Sequence, residues 1–182
     1  MKSIDSFDEY PQSLPILADD ILEFHAARLL LLLKLCGRND SIDGLTKLAK
    51  LDFFVRYPKF FAVACEELNV EIPQIDQGVE SHMIRFHYGP WDQRYYHVLA
   101  YLESKDLIKV KLKGKTFIIG LTHVGQETAN QLNEQSAFDS LTTHIGRVKT
   151  VLGSKRGTEL KNLIYRLFDE EVARLPFEEV IE

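Results

Sequence analysis

Cysteine is scarce: Cys36 and Cys65 are the only two in the chain. They form no Cys-x-x-Cys pair and sit in apolar helical contexts, so buried free thiols in a reducing compartment are expected. Long hydrophobic runs are absent. The most apolar stretch, Leu29 to Leu33, is bracketed by Arg28 and Lys34 and falls far short of the roughly 20 residues a membrane-spanning helix needs. The opening MKSIDSFDEYPQS lacks a basic region followed by a long apolar run, so no secretory signal and a cytoplasmic location are expected. Positive charge is in deficit, with 22 Lys+Arg against 27 Asp+Glu and a net charge of -5. A protein that lives on DNA alone is usually basic overall, so autonomous DNA binding is disfavoured while a local basic surface is not.

Chemistry-bearing motifs are equally sparse. His25, His82, His87, His97, His123 and His144 are scattered, with no pair at the helical spacing of four that a metal site would use. His87, Asp92 and Tyr95 lie close enough in sequence to form an acid–base group. No nucleophile elbow, paired-carboxylate motif or phosphate-cradling Gly-x-x-x-x-Gly-Lys-Ser/Thr loop accompanies them. The expectation is a protein without enzymatic activity, cofactor or metal.

What the chain does have is a core. Hydrophobic residues make up 45% and aromatics 10%, enough for a packed domain rather than a disordered segment. Residues 1–15 read as a flexible segment, with Pro11 and Pro15 blocking an early helix. A helix is predicted from about Ile16 to Cys36, apolar on more than one face and therefore central. Ser41-Ile42-Asp43-Gly44 is predicted to open a second helix, capped by Ser41 or Asp43, with Lys47, Lys50 and Asp52 as its wet positions. Tyr57-Pro58 starts a third, ending near Asn69. Residues 70–80 read as a loop, and Met83 to Tyr88 as a short strand.

The most informative stretch runs from Met83 to Gln126. Trp91, Tyr95, Val98 and Leu102 recur at helical spacing, predicting a helix from about Trp91 to Lys105. In Lys109-Val110-Lys111-Leu112-Lys113 lysine alternates with apolar residues, the period of a strand with one wet face. Lys113-Gly114 offers a tight turn, and Thr116 to Ile119 the return strand. Thr122 is an expected N-cap for the next helix, which continues to about Gln135. Ala137–Leu152 and Thr158–Arg174 are two further amphipathic segments.

A helix, a basic hairpin, then Leu121-Thr122-His123-Val124-Gly125 and another helix resembles the winged-helix module. There the helix before the hairpin is the recognition helix and the hairpin is the wing. The fold class expected is mainly α with a small β-hairpin: a winged helix-turn-helix core over residues 16–135, followed by a C-terminal helical extension over 136–182. Gln93, Arg94 and His97 are the candidate base-reading groups. Lys105, Lys109, Lys111, Lys113 and Lys115 stand against a single acid in their span, Asp106. Such a row neutralises phosphates, or it protects a solvent-facing edge strand from aggregation. The last helix carries a stripe of Leu160, Leu163, Leu167 and Phe168, read either as packing within the chain or as a surface for a partner.

Two segments resemble a narrower family. One is Leu45-Thr46-Lys47-Leu48-Ala49-Lys50-Leu51-Asp52-Phe53 running on to Arg56-Tyr57-Pro58. The other is Met83-Ile84-Arg85, then Tyr88-Gly89-Pro90-Trp91-Asp92 and Tyr95-Tyr96. With the Leu121-Thr122 to Gly125 end, they are similar to the small middle component of ABC three-component systems, the Lamassu-type bacterial defence operons. The similarity covers roughly residues 20–130. It implies a non-enzymatic subunit beside an SMC or Rad50-like ATPase and an effector subunit, often a nuclease, acting against phage or plasmids. ATP would bind the partner, and the wing would touch double-stranded DNA. The plainer alternative is a homodimeric winged-helix regulator that reads a DNA half-site with the 91–105 helix.

Overall fold

The computed structural model describes residues 21–71, 83–86, 89–168 and 180–181. Expectations for residues 1–15, the start of the first helix, the loop beyond Glu71, His82, His87 and the end of the last segment beyond Phe168 lie outside those residues. The fold is mainly helical with small antiparallel sheets.

Helix α1 (Leu22–Cys36) is the centre. Leu29 to Leu33 are all buried, whichever face they lie on, as an all-round apolar helix requires. It packs against three later helices, Tyr95–Ser104, His123–Asn133 and Asp139–Leu152. Cys36 and Cys65 are both buried and free. Burial pushes the Cys36 thiol up to about 12, which suppresses thiolate chemistry at neutral pH.

The next segment departs from expectation. Ser41–Asp43 is not a helix start but a strand, β1, antiparallel to a later strand with Ile42 opposite Ile119. Helix α2 (Leu45–Arg56) begins only after Gly44. Every α2 residue from Leu48 to Arg56 is buried, Lys50 and Asp52 included. The expected wet face of α2 does not exist, because the helices Pro58–Glu67, Asp139–Leu152 and Gly157–Leu167 and the strand Gly89–Trp91 surround it. Lys47 alone behaves as predicted in part, reaching out to donate to Gly153 O at 2.8 Å.

Helix α3 (Pro58–Glu67) follows, with Pro58 in its first turn, where a missing N–H is harmless. It ends with Asn69 in left-handed conformation. Strands β2 (Met83–Phe86) and β3 (Gly89–Trp91) pair antiparallel, and β6 (Val180–Ile181) adds to the other side of β2. Trp91 thus ends a strand rather than opening a helix, and α4 runs only from Tyr95 to Ser104. Strands β4 (Ile108–Lys113) and β5 (Thr116–Leu121) form the hairpin, and the sheet order is β1-β5-β4. With α1 before β1, α2 after it and α4 before the hairpin, this is a winged-helix arrangement with α3, β2 and β3 inserted between its second and third helices.

Helix α5 (His123–Asn133) leads through a 3-10 turn (Ser136–Phe138) to α6 (Asp139–Leu152) and α7 (Gly157–Leu167). These last two helices are not an extension laid beside a finished domain. Ile145, Val148 and Leu152 of α6, then Leu160, Leu163 and Ile164 of α7 and Phe168 after it, are buried in the same continuous core as α1 and α2. Phe168 meets Phe60 at 4.6 Å and Phe53 at 6.4 Å between ring centroids. Burying each such side chain contributes roughly 1.5–3 kcal/mol. The boundary expected at 135/136 therefore separates no independent cores.

Candidate nucleic-acid interface

The wing is anchored by two local devices. Helix α4 closes with Leu107 N bonding Leu102 O at 2.9 Å and Asp106 N bonding Glu103 O at 3.0 Å. Asp106 takes the left-handed position at φ 54, where glycine is usual. The chain then leaves directly into β4. At the far end, Thr122 Oγ1 accepts from Gly125 N at 3.0 Å, capping α5 as expected, and donates to Asp106 O. Thr122 N donates to Leu107 O at 3.1 Å. A Cβ on Gly125 would lie 1.8 Å from Leu107 O, so only glycine lets α5 abut the α4–β4 corner. The Leu-Thr-x-x-Gly pattern is therefore a hairpin clasp: one residue caps, one yields space.

Between these anchors the hairpin projects. Gly114 and Lys115 form its two-residue loop, with positive φ at Gly114 alone, the pattern of a type II′ turn. Lys109, Lys111 and Lys113 fall on one face and are exposed, as are Lys115 in the loop and Lys105 before the strand. None of the five is in an ion pair among the described residues; Lys105 instead lies 5.8 Å from the Tyr101 ring. Strand β4 is an edge strand, and Glu103 accepts from its Val110 N–H at 3.2 Å. The opposite face is apolar but only its base is covered. Ile108 and Ile119 are buried, Val110 is half-buried, and Leu112 and Phe117 near the tip are 65% and 49% exposed. Packing of Leu112 does not, then, orient the outer lysines; strand geometry does.

The recognition-helix candidates divide. Gln93 and His97 are exposed. Arg94 is turned inward. Its Nε and Nη2 donate to Asp92 at 2.9 and 2.8 Å, and its Nη1 lies 2.9 Å from His25 Nε2. That fork is occupied, which leaves α4 without a free bidentate arginine for a guanine edge.

Arg94 belongs to a buried polar network. Arg28 of α1 donates to both carboxylate oxygens of Asp52 of α2, at 2.8 and 3.2 Å, and its Nη1 lies 3.0 Å from His25 Nδ1. Tyr95 Oη donates to Asp52 at 2.7 Å. Arg56 donates to Asp92 at 2.6 Å and lies 3.9 Å from Asp52. Burial alone would raise both aspartates. For Asp52 the Arg28 and Arg56 guanidiniums outweigh it and hold the carboxyl below its usual range. For Asp92 the Arg94 and Arg56 bonds push the carboxyl down to about 2. The Tyr95 phenol is raised well above its ordinary value, by burial first and then by the Asp52 charge. Asp92 and Tyr95, close enough in sequence to His87 to suggest an acid–base group, are both bonded within this network. The network pins the start of α4 onto α1 and α2. One signal in the sequence could have found it: Arg28 lies within the most apolar helix, whereas Asp52 stands at a position of α2 that reads as wet.

The partner-surface candidates are also placed. Leu160, Leu163 and Phe168 face the core, with Leu167 half-buried. The stripe that suggested a docking surface packs on α2 and α3 of its own chain. Among the described residues no group of three or more His, Cys, Asp or Glu side chains is placed to hold a metal ion, and no helix is long and apolar enough to cross a membrane. Comparison with protein-family models, with curated proteins and with solved structures finds no match for this chain.

Proposed function

We propose that this chain is a non-catalytic winged-helix subunit that adds a weak, sequence-independent DNA contact to a larger ATPase-containing assembly. The observation that carries the reading is the projecting hairpin, whose lysines on one strand face are exposed and without ion pairs among the described residues. Lysine is a flexible point charge, good for phosphate and poor at the bidentate base contacts that arginine makes. The occupied fork of Arg94 favours backbone contact over base reading. With a net charge of -5, the chain alone should bind DNA in the non-specific range, roughly 10⁻⁴–10⁻⁶ M at physiological salt. A tethered partner raises the effective concentration and makes such a contact useful. The resemblance to the middle component of Lamassu-type systems supplies the partners: an SMC or Rad50-like ATPase and an effector subunit in an antiviral or anti-plasmid complex.

The test replaces Lys109, Lys111, Lys113 and Lys115 by Gln and measures binding to two unrelated duplexes over a salt series, with the chain alone and with any ATPase subunit that co-purifies with it. Binding should fall by a similar factor on both duplexes, and the salt slope should become shallower by about 0.9 for each phosphate no longer neutralised. Unchanged binding would assign the lysines to edge protection. A loss confined to one sequence would favour the transcriptional-regulator reading.

A further inference from the structure

The wing is two-faced, and its second face is unexplained by phosphate binding. Leu112 and Phe117 stand directly opposite one another across the hairpin, so their side chains share a face. They are 65% and 49% exposed, at the outer end of a face whose inner part is buried. Lys111 and Lys113 project from the other face, and Lys115 sits in the turn. An intact duplex offers phosphates to the lysines but keeps the flat faces of its bases stacked away from an apolar pair.

A junction between duplex and single strand offers both surfaces at once. Its terminal base pair exposes an apolar face, and the diverted strand carries phosphates past it. A hairpin seated at that fork would place bases against one face and phosphates against the other. We infer that the wing recognises a duplex–single-strand junction, with Leu112 and Phe117 against the terminal base pair and Lys109, Lys111, Lys113 and Lys115 along the diverted strand. Aromatic stacking on a base is tolerant of sequence, which agrees with a wing that has no base-reading groups. This inference rests on the DNA-binding reading of the wing and narrows its substrate.

The experiment uses the full chain at low salt and measures competition for a labelled fork by three DNAs: a covalently closed circular duplex, which exposes no terminal base pair, a linear duplex with two non-complementary arms, and the single strand. The fork should be preferred over the closed duplex by about 5- to 150-fold, the span one stacked base supplies. Leu112→Ser with Phe117→Ser should abolish the preference and leave duplex affinity and salt slope unchanged. Phe117→Trp should keep it. Both positions are exposed, so the thermal melt of each variant should match the wild type. Equal binding of fork and duplex by the wild type, or equal loss on all three DNAs in the double variant, overturns the inference while leaving the lysine reading intact. Binding of phosphatidylserine vesicles that requires Leu112 and Phe117, without fork preference, overturns it in favour of a membrane. The Lys111→Gln, Lys113→Gln variant separates the two levels: if it keeps full duplex affinity, the DNA-binding reading itself has failed.

Discussion

Replacing Asp52 by Asn probes what holds the start of α4 in place. The substitution preserves shape and removes one charge from a side chain that is fully buried. Asp52 takes two bonds from Arg28, at 2.8 and 3.2 Å, and one from Tyr95 at 2.7 Å, with Arg56 3.9 Å away. Asn can still accept from Tyr95, but its NH₂ would confront a guanidinium. Arg28 would then be a buried cation without its counter-charge, and removing one member of a buried pair costs about 3–5 kcal/mol. For a chain of this size each kcal/mol moves Tm by about 2–4 °C, so the melting point should fall by roughly 6–20 °C. Circular dichroism melts and urea titrations would read the loss. Arg28→Met combined with Asp52→Leu should cost clearly less than Asp52→Asn, because both ions leave together. A pH series supplies an independent arm. The folded carboxyl of Asp52 lies below its ordinary value of 3.8, so its contribution is full above that value and fades as pH falls through the lower folded one. Asp52→Asn should remove that part of the acid slope. A penalty under about 1 kcal/mol for Asp52→Asn, or a double variant as unstable as the single one, would refute the reasoning.

Three further outcomes are expected. Gly125→Ala should cost about 1–3 kcal/mol and speed amide exchange in the hairpin, since its Cβ would collide with Leu107 O; a wild-type exchange pattern would mean the clasp yields easily. Leu163→Asp should unfold the domain rather than detach a partner, at a cost of roughly 3–5 kcal/mol, because Leu163 is 6% exposed; truncation after residue 135 should fail for the same reason, and a folded truncated chain would contradict the single core. His144 presents Nε2 to Phe54 O at 3.0 Å while its Nδ1 is buried without a hydrogen-bond partner among the described residues, and burial lowers its pKa below 6.5. Its contribution is therefore full above pH 6.5 and shrinks as pH falls below it; His144→Gln should flatten the melting-temperature curve below pH 6.5, and an unchanged curve would show that the imidazole escapes to water.

Much of this protein was decided locally. The proline of Tyr57-Pro58 placed the start of α3, and periodicity placed α6, α7 and the strands of the hairpin, because each of these has its apolar residues at the spacing of its own secondary structure. Thr122 announced its cap, and Gly114 its turn, since both depend on neighbours within a few residues. The tertiary structure decided the rest. β1 is three residues long and exists because Ile119, far along the chain, pairs with Ile42. Lys50 and Asp52 are dry because α2 is enclosed on all sides, and a one-dimensional pattern of wet and dry positions assumes one solvent face. Arg94 bonds Asp92, only two residues away, but its inward turn is completed by His25 of α1, a partner that no spacing rule contains. The stripe on α7 was legible as an apolar face, but whether it met its own chain or another depended on where α2 lay. Local order follows from short-range sterics and hydrogen bonds, while partners distant in sequence are chosen only when the whole core closes.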